Sequence, residues 1–274
     1  MPMVKMRVET ALGPLAVQRH DDGVAAQPAL LLWHSLFLDG HSWDGVLPAL
    51  TPGRTVLVVD GPCHGESPGP DRRFSLDECA DAALAVLEHA GCARADWVGN
   101  AWGGHVGVVL AARAPGRVRS LAVLCSPLQP LSVLDRVRAT ALGAVLRVAG
   151  WRGFLLGAVR SALLRPPWRP EVAAQVDAAV RGPGAARTLW AMRSVMLGRP
   201  SLLPRLAQVR CPTLLVAADG SKLWPPALAA DQARGFADAR CEIITGVGHI
   251  PPLEAPDATA ALLTTWLSSR ETPT

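Results

Sequence analysis

No stretch of about eighteen consecutive apolar residues occurs in the 274-residue chain, so a membrane-spanning helix is not expected. The opening Met1-Pro2-Met3-Val4-Lys5 lacks the basic-then-apolar build of a secretory signal. Six cysteines, at 63, 79, 92, 125, 211 and 241, include no CxxC pair and no zinc spacing. Free, buried thiols in a cytoplasmic protein are the reading that follows. No cluster of Cys, His and carboxylates has ligand spacing, so neither metal nor cofactor is expected. The net charge is +4 and the pI near 9.0, but the positive charge is almost all arginine, much of it between Arg113 and Arg210. No dense basic block with interleaved aromatics is present, which argues against a nucleic-acid partner.

Half of the residues are hydrophobic, enough for one large core. Short apolar runs alternate with longer helical patterns, which predicts an α/β fold with a mostly parallel central sheet flanked by helices. Val4–Val8 and Leu15–His20 read as an opening hairpin around Gly13-Pro14. Further strands are expected at Ala29–Trp33, Val56–Asp60, Ala95–Gly99, Val118–Leu124, Thr213–Ala217 and Cys241–Ile244. Helices are expected at Leu76–Ala90, where Ser75 and Glu78 have capping-box spacing, at Gly103–Ala114 and at Pro256–Ser269. From about Pro127 to Gln208 the pattern is helical and apolar without a clear strand. The expected organisation is a core of residues 1–126 and 209–274, with a helical lid, 127–208, inserted between two strands over their carboxyl ends.

Four segments, spread over the whole chain, carry the chemical reading. Trp33-His34-Ser35-Leu36-Phe37 is followed by Trp43, and Asp60-Gly61-Pro62-Cys63-His64-Gly65-Glu66-Ser67 comes next. The third is Gly99-Asn100-Ala101-Trp102-Gly103-Gly104, and the fourth is Gly246-Val247-Gly248-His249-Ile250-Pro251. In this order they resemble the α/β-hydrolase superfamily: an oxyanion loop with Ser35 where Gly is usual, an Asp-x-x-Gly-x-Gly-x-Ser stretch, the nucleophile elbow, and the loop bearing the catalytic histidine. The first and third segments also resemble an actinobacterial branch of hydrolase-like proteins with Ala at the elbow centre. The elbow is a sharp strand-to-helix turn that holds its central residue in strained geometry and aims it at substrate. Here that residue is Ala101, and a methyl group cannot form an acyl-enzyme.

The resemblance implies His249 as the proton-handling group. It also implies oxyanion donors from the Trp102 amide and from that of Leu36 or Ser35. The orienting acid is disturbed. Counting from Pro212-Thr213, the usual aspartate falls on Ser221, and Asp219 occupies the neighbouring position unless the loop shifts to bring it to His249. The alternative acid site, after the preceding strand, carries Cys125-Ser126 and no carboxylate; both are expected to face the pocket. His34, His64 and His105 are read as structural hydrogen-bonders, and Trp151, Trp168 and Trp190 mostly as packing in the lid.

Three functions fit these residues. The first is an enzyme working without covalent catalysis, through proton abstraction, C–C cleavage or cyclisation of a small, apolar, carbonyl-bearing compound. The second is a serine esterase or lactonase carrying a Ser-to-Ala exchange at 101. The third is a ligand-binding pseudoenzyme. Arginines of the lid offer partners for a substrate carboxylate, but the sequence aims none of them.

Overall fold

The computed structural model describes residues 3–21, 23–24 and 26–270. Of the opening segment, Met1 and Pro2 lie outside the described residues. Eight strands are β1 Met3–Val8, β2 Leu15–His20, β3 Ala29–Trp33, β4 Val56–Val59, β5 Ala95–Asn100, β6 Val118–Leu124, β7 Thr213–Ala218 and β8 Ala239–Ile244. They form one sheet in the order β1-β2-β4-β3-β5-β6-β7-β8. β2 pairs antiparallel with both β1 and β4; every other pairing is parallel. The expected strands all form, with ends displaced by at most two residues.

The helices are α1 Leu47–Leu50, α2 Leu76–His89, α3 Trp102–Arg113, α4 Val133–Ala149, α5 Gly153–Leu163, α6 Pro170–Arg181, α7 Gly184–Ala191, α8 Pro226–Ala233, α9 Pro251–Glu254 and α10 Pro256–Ser268. The apolar residues of β3 to β7 are buried because helices cover both faces. Alternation along each strand splits the core in two. Leu31, Trp33, Leu57, Trp97 and Val123 point to the α2 and α3 side. Leu30, Leu32, Val58, Val98 and Leu124 point to the side of α1 and α10. At the start of α2, Glu78 N–H donates to Ser75 Oγ at 3.1 Å and Ser75 N–H donates to Glu78 Oε2 at 2.8 Å, closing the capping box.

Between β6 and β7 the chain runs through α4 to α7, a π-helical turn at Met192–Met196 and a 3₁₀ turn at Leu203–Gln208. These elements pack Leu146, Leu156, Val159, Leu163, Val176 and Met192 onto the α3-side core. No helix among the described residues is long and apolar enough to cross a membrane.

Candidate active site

The site is built where the parallel strands end. Among the described residues, four that are not glycine have positive φ: Phe37 (73°), Cys63 (67°), Ala101 (48°) and Cys125 (46°). They follow β3, β4, β5 and β6 respectively. A non-glycine residue in this region is uncommon, and backbone strain of this kind clusters at functional sites. Ala101, at φ 48° and ψ −105°, is the cap between β5 and α3. Its N–H donates to the Leu124 carbonyl at 2.7 Å. The two elbow glycines are required by close approach. A Cβ on Gly99 would overlap the backbone of Gly103 and Gly104, and one on Gly103 would overlap the Trp33 carbonyl.

Ala101 and His249 line the same cavity, of roughly 250 Å³, together with Ser35, Leu36 and Trp102. The inserted segment adds Leu163, Val195, Met196 and Arg199, so the wall is mostly apolar. Trp102 opens α3, where the first N–H groups have no acceptor within the helix. The loop after β3 is locked from behind. His34 Nε2 accepts from Gly61 N–H at 2.8 Å, so its Nδ1–H donates to the Ser35 carbonyl at 2.7 Å. His64 Nε2 accepts from Phe37 N–H at 3.3 Å, and its Nδ1–H donates to the Pro62 carbonyl at 3.0 Å. Burial pushes His34 down to about 4 and His64 down to about 3, so both rings are neutral struts at pH 7.

His249 is 4% exposed, and its Nδ1 lies 3.0 Å from Ser221 Oγ. Ser221 therefore occupies the place counted for the orienting acid. A hydroxyl there fixes the ring but cannot stabilise an imidazolium as a carboxylate does. Burial pushes the His249 pKa down to about 4, leaving the ring uncharged near neutrality. Asp219 does not take the acid's place. Its Oδ1 is held by Arg165 Nη1 at 2.7 Å and by Gly246 N–H at 2.8 Å, at the protein surface. The loop shift that would bring Asp219 to His249 is absent, because a cation and a backbone donor already hold that carboxylate.

One further expectation is corrected. Cys125 and Ser126 do not line the cavity. The positive φ of Cys125 turns the chain at the end of β6: its Sγ faces the Gly248 carbonyl at 3.9 Å, and Ser126 Oγ donates to the Leu124 carbonyl at 2.9 Å. Burial also drives the Cys125 thiol far above its ordinary range. Trp151, Trp168 and Trp190 stay outside the cavity and pack against the α3-side core, Trp168 beneath Arg160 and Trp190 beneath Arg193.

The sequence did not announce Asn100, Glu254 or Arg199 as parts of the site. Asn100 Nδ2 donates to the carbonyls of Leu124 (3.0 Å) and His249 (3.2 Å), tying the elbow to the histidine loop. Glu254 Oε1 accepts from the N–H groups of Gly248 (2.9 Å) and Ile250 (3.3 Å), on either side of His249. Its spacing from His249 was the available signal. Among the described residues no group of three His, Cys or carboxylate side chains is gathered to hold a metal ion.

The sequence pattern of the Alpha/beta hydrolase family matches residues 30–262. Over 134 residues the chain is 34% identical to the dihydrolipoyllysine-residue acetyltransferase component of the acetoin cleaving system of Pseudomonas putida; the match takes in 49% of this chain and 33% of that protein, a part of its length. It is 28% identical to the magnesium-chelatase 30 kDa subunit of Rhodobacter capsulatus, over 93% of this chain and 92% of that one. The enol-lactonase of Burkholderia xenovorans LB400 superposes with a TM-score of 0.86, covering 97% of this chain and 100% of that chain. At 22% identity this last likeness speaks for the fold alone. Elbow, sheet order and family pattern agree: the chain belongs to the alpha/beta hydrolase family.

Proposed function

We propose that this chain acts on a small, largely apolar carbonyl compound without forming an acyl-enzyme. The observation that carries the reading is Ala101 held in the strained elbow at the wall of an apolar cavity that it shares with His249. The elbow backbone keeps its electrostatic use when its nucleophile is absent. The Trp102 and Leu36 amides would stabilise an oxyanion or enolate, and His249 would carry the proton. Proton abstraction beside a carbonyl, C–C cleavage and cyclisation all need these two elements and no covalent bond. The inserted helices would serve as a lid, contributing Leu163, Val195, Met196 and Arg199 to the cavity wall. The six cysteines are free, which suits a reducing cytoplasm.

A serine hydrolase with a single Ser-to-Ala exchange at 101 fits less well. Ser221 stands where the orienting carboxylate belongs, so two side chains differ from a working triad. A second reading, binding without turnover, is favoured by the low pKa of His249, which makes it a weak base.

The test uses the purified chain and a panel of small lactones, ketones and β-dicarbonyl compounds, with products followed by mass spectrometry and NMR. Turnover that survives a fluorophosphonate and is lost in His249→Gln supports the reading. Turnover blocked by the fluorophosphonate, with one phosphonyl group on the native chain, would sink it. Saturable binding with no product for any compound would move the second reading into first place.

A further inference from the structure

Arg199 lies in the inserted segment and lines the cavity that holds Ala101 and His249. It is 6% exposed. Its Nη2 donates to the Gln129 carbonyl at 2.7 Å, and its Nη1 is buried with no hydrogen-bond partner. No carboxylate among the described residues lies within ion-pair distance of it. Burial alone pulls its pKa down to about 10, which leaves it a full cation at neutral pH.

A buried guanidinium without a counter-ion is costly, and buried arginines are ordinarily paired. The neighbouring groups do not compensate the charge. His105 also lines the cavity; its Nε2–H donates to the Pro127 carbonyl at 2.8 Å, and its buried Nδ1 is left without a partner. Burial, and then Arg199, push its pKa well down, so it stays neutral. Asp135 is the acid that reaches the cavity wall, but it sits at the half-exposed start of α4. There it accepts from Ser132 Oγ at 2.6 Å and pairs with Arg138 at 3.5 Å. The cavity thus carries, in a mostly apolar wall, one buried positive charge with no carboxylate in ion-pair contact.

We infer that Arg199 receives a carboxylate of the ligand, so that the compound taken up is an apolar monocarboxylate rather than a neutral ester or ketone. The inference rests on the cavity being the ligand site and deepens the proposed function by naming the polar handle of the substrate. One anionic end would pair with Arg199, and the carbonyl to be acted on would lie toward Ala101 and His249. Charge-assisted hydrogen bonds to a guanidinium are the strong class, and a low-dielectric wall strengthens them.

The experiment compares octanoate with octanamide, which have the same chain and differ in charge, by titrating tryptophan fluorescence of the native chain at pH 7.5. Octanoate is expected to bind about tenfold or more tightly than octanamide. In Arg199→Met that preference should vanish, while Arg199→Lys keeps part of it. Arg199→Met should also be as stable to urea as the native chain, or more so, because it removes an unpaired buried charge. Equal binding of both probes by the native chain would overturn the carboxylate inference and leave the cavity as the ligand site. Binding of neither probe would overturn both together. A preference that persists in Arg199→Met would place the anion elsewhere and likewise overturn it.

Discussion

The two ends of the sheet treat buried charge in opposite ways. At the amino end, Asp96 is fully buried on β5, and every part of its carboxylate is engaged. Arg119 donates to it at 2.6 Å, Ser120 Oγ at 2.6 Å, and Arg54 lies at 3.7 Å. At the carboxyl end, Arg199 is 6% exposed and has no carboxylate among the described residues within ion-pair distance, although buried nitrogens without a hydrogen-bond partner occur at both ends, on Arg119 as on Arg199 and His105. Strain follows the same division, with all four non-glycine positive-φ residues among those described lying just past strand ends on the carboxyl side. The amino end pairs its buried arginines with a buried carboxylate, whereas the carboxyl end combines a buried arginine that has no carboxylate beside it with strained backbone, the combination found where such folds bind ligands.

The largest effect expected of any single group in this contrast is on stability. Asp96→Ala removes the shared partner of Arg54 and Arg119, both largely buried, and should cost about 3–5 kcal/mol in urea unfolding. A loss below about 1 kcal/mol would show that the amino end is not held by this cluster.

The second effect comes from the carboxyl end and is read by pH. His34, His64 and His249 are held neutral by burial, at about 4, 3 and 4 against an ordinary value of 6.5. The unfolded chain therefore binds more protons than the folded one between about pH 4 and 6.5. The stability that these rings contribute is full above pH 6.5 and is lost as the pH falls through that window. At pH 5 each ring should cost on the order of 2 kcal/mol relative to pH 7.5. A urea midpoint unchanged between pH 7.5 and 5 would mean that these histidines are hydrated and the carboxyl end is looser than described.

What the sequence disclosed follows a physical line. Strands with apolar runs, such as Ala29–Trp33 and, in its Leu121–Leu124 half, Val118–Leu124, were placed to the residue because burial on both faces leaves one reading. The elbow was legible because its glycines answer steric demands that no other residue meets. Ser221 was placed opposite His249 by counting along a strand, where spacing is regular. Cys125 and Ser126 were misplaced because a single positive φ after β6 turned them away from the cavity, and no residue type announces that turn. Asp219 was left open because an ion pair with Arg165 joins segments 54 residues apart in sequence. Arg199 was one of many arginines in the insert; only packing shows that this one is buried with no carboxylate beside it.

The smallest effect separates pairing from burial. Arg205 grips both oxygens of Asp77 at 3.0 Å, joining the end of the inserted segment to α2 at the surface. Because both side chains are part-exposed, Arg205→Ala should lower stability by less than about 1 kcal/mol, and less still in high salt. A loss as large as that of Asp96→Ala would mean that ion pairing, not burial, distinguishes the two ends of the sheet.

The carboxyl end keeps a hydrolase elbow, with Ala101 at its centre and a hydroxyl, Ser221, against His249. The direct measurement is the rate of p-nitrophenyl butyrate hydrolysis by Ala101→Ser and by Ala101→Ser combined with Ser221→Asp. Ser221 already stands at His249 Nδ1, so an aspartate there is positioned to orient the ring and stabilise its cation. The single variant should be weakly active, and the double variant faster by about 10²-fold or more, with the new serine carrying the acyl group in trapped intermediates. Ordinary esterase rates from Ala101→Ser alone, or a double variant no faster than the single one, would contradict the account.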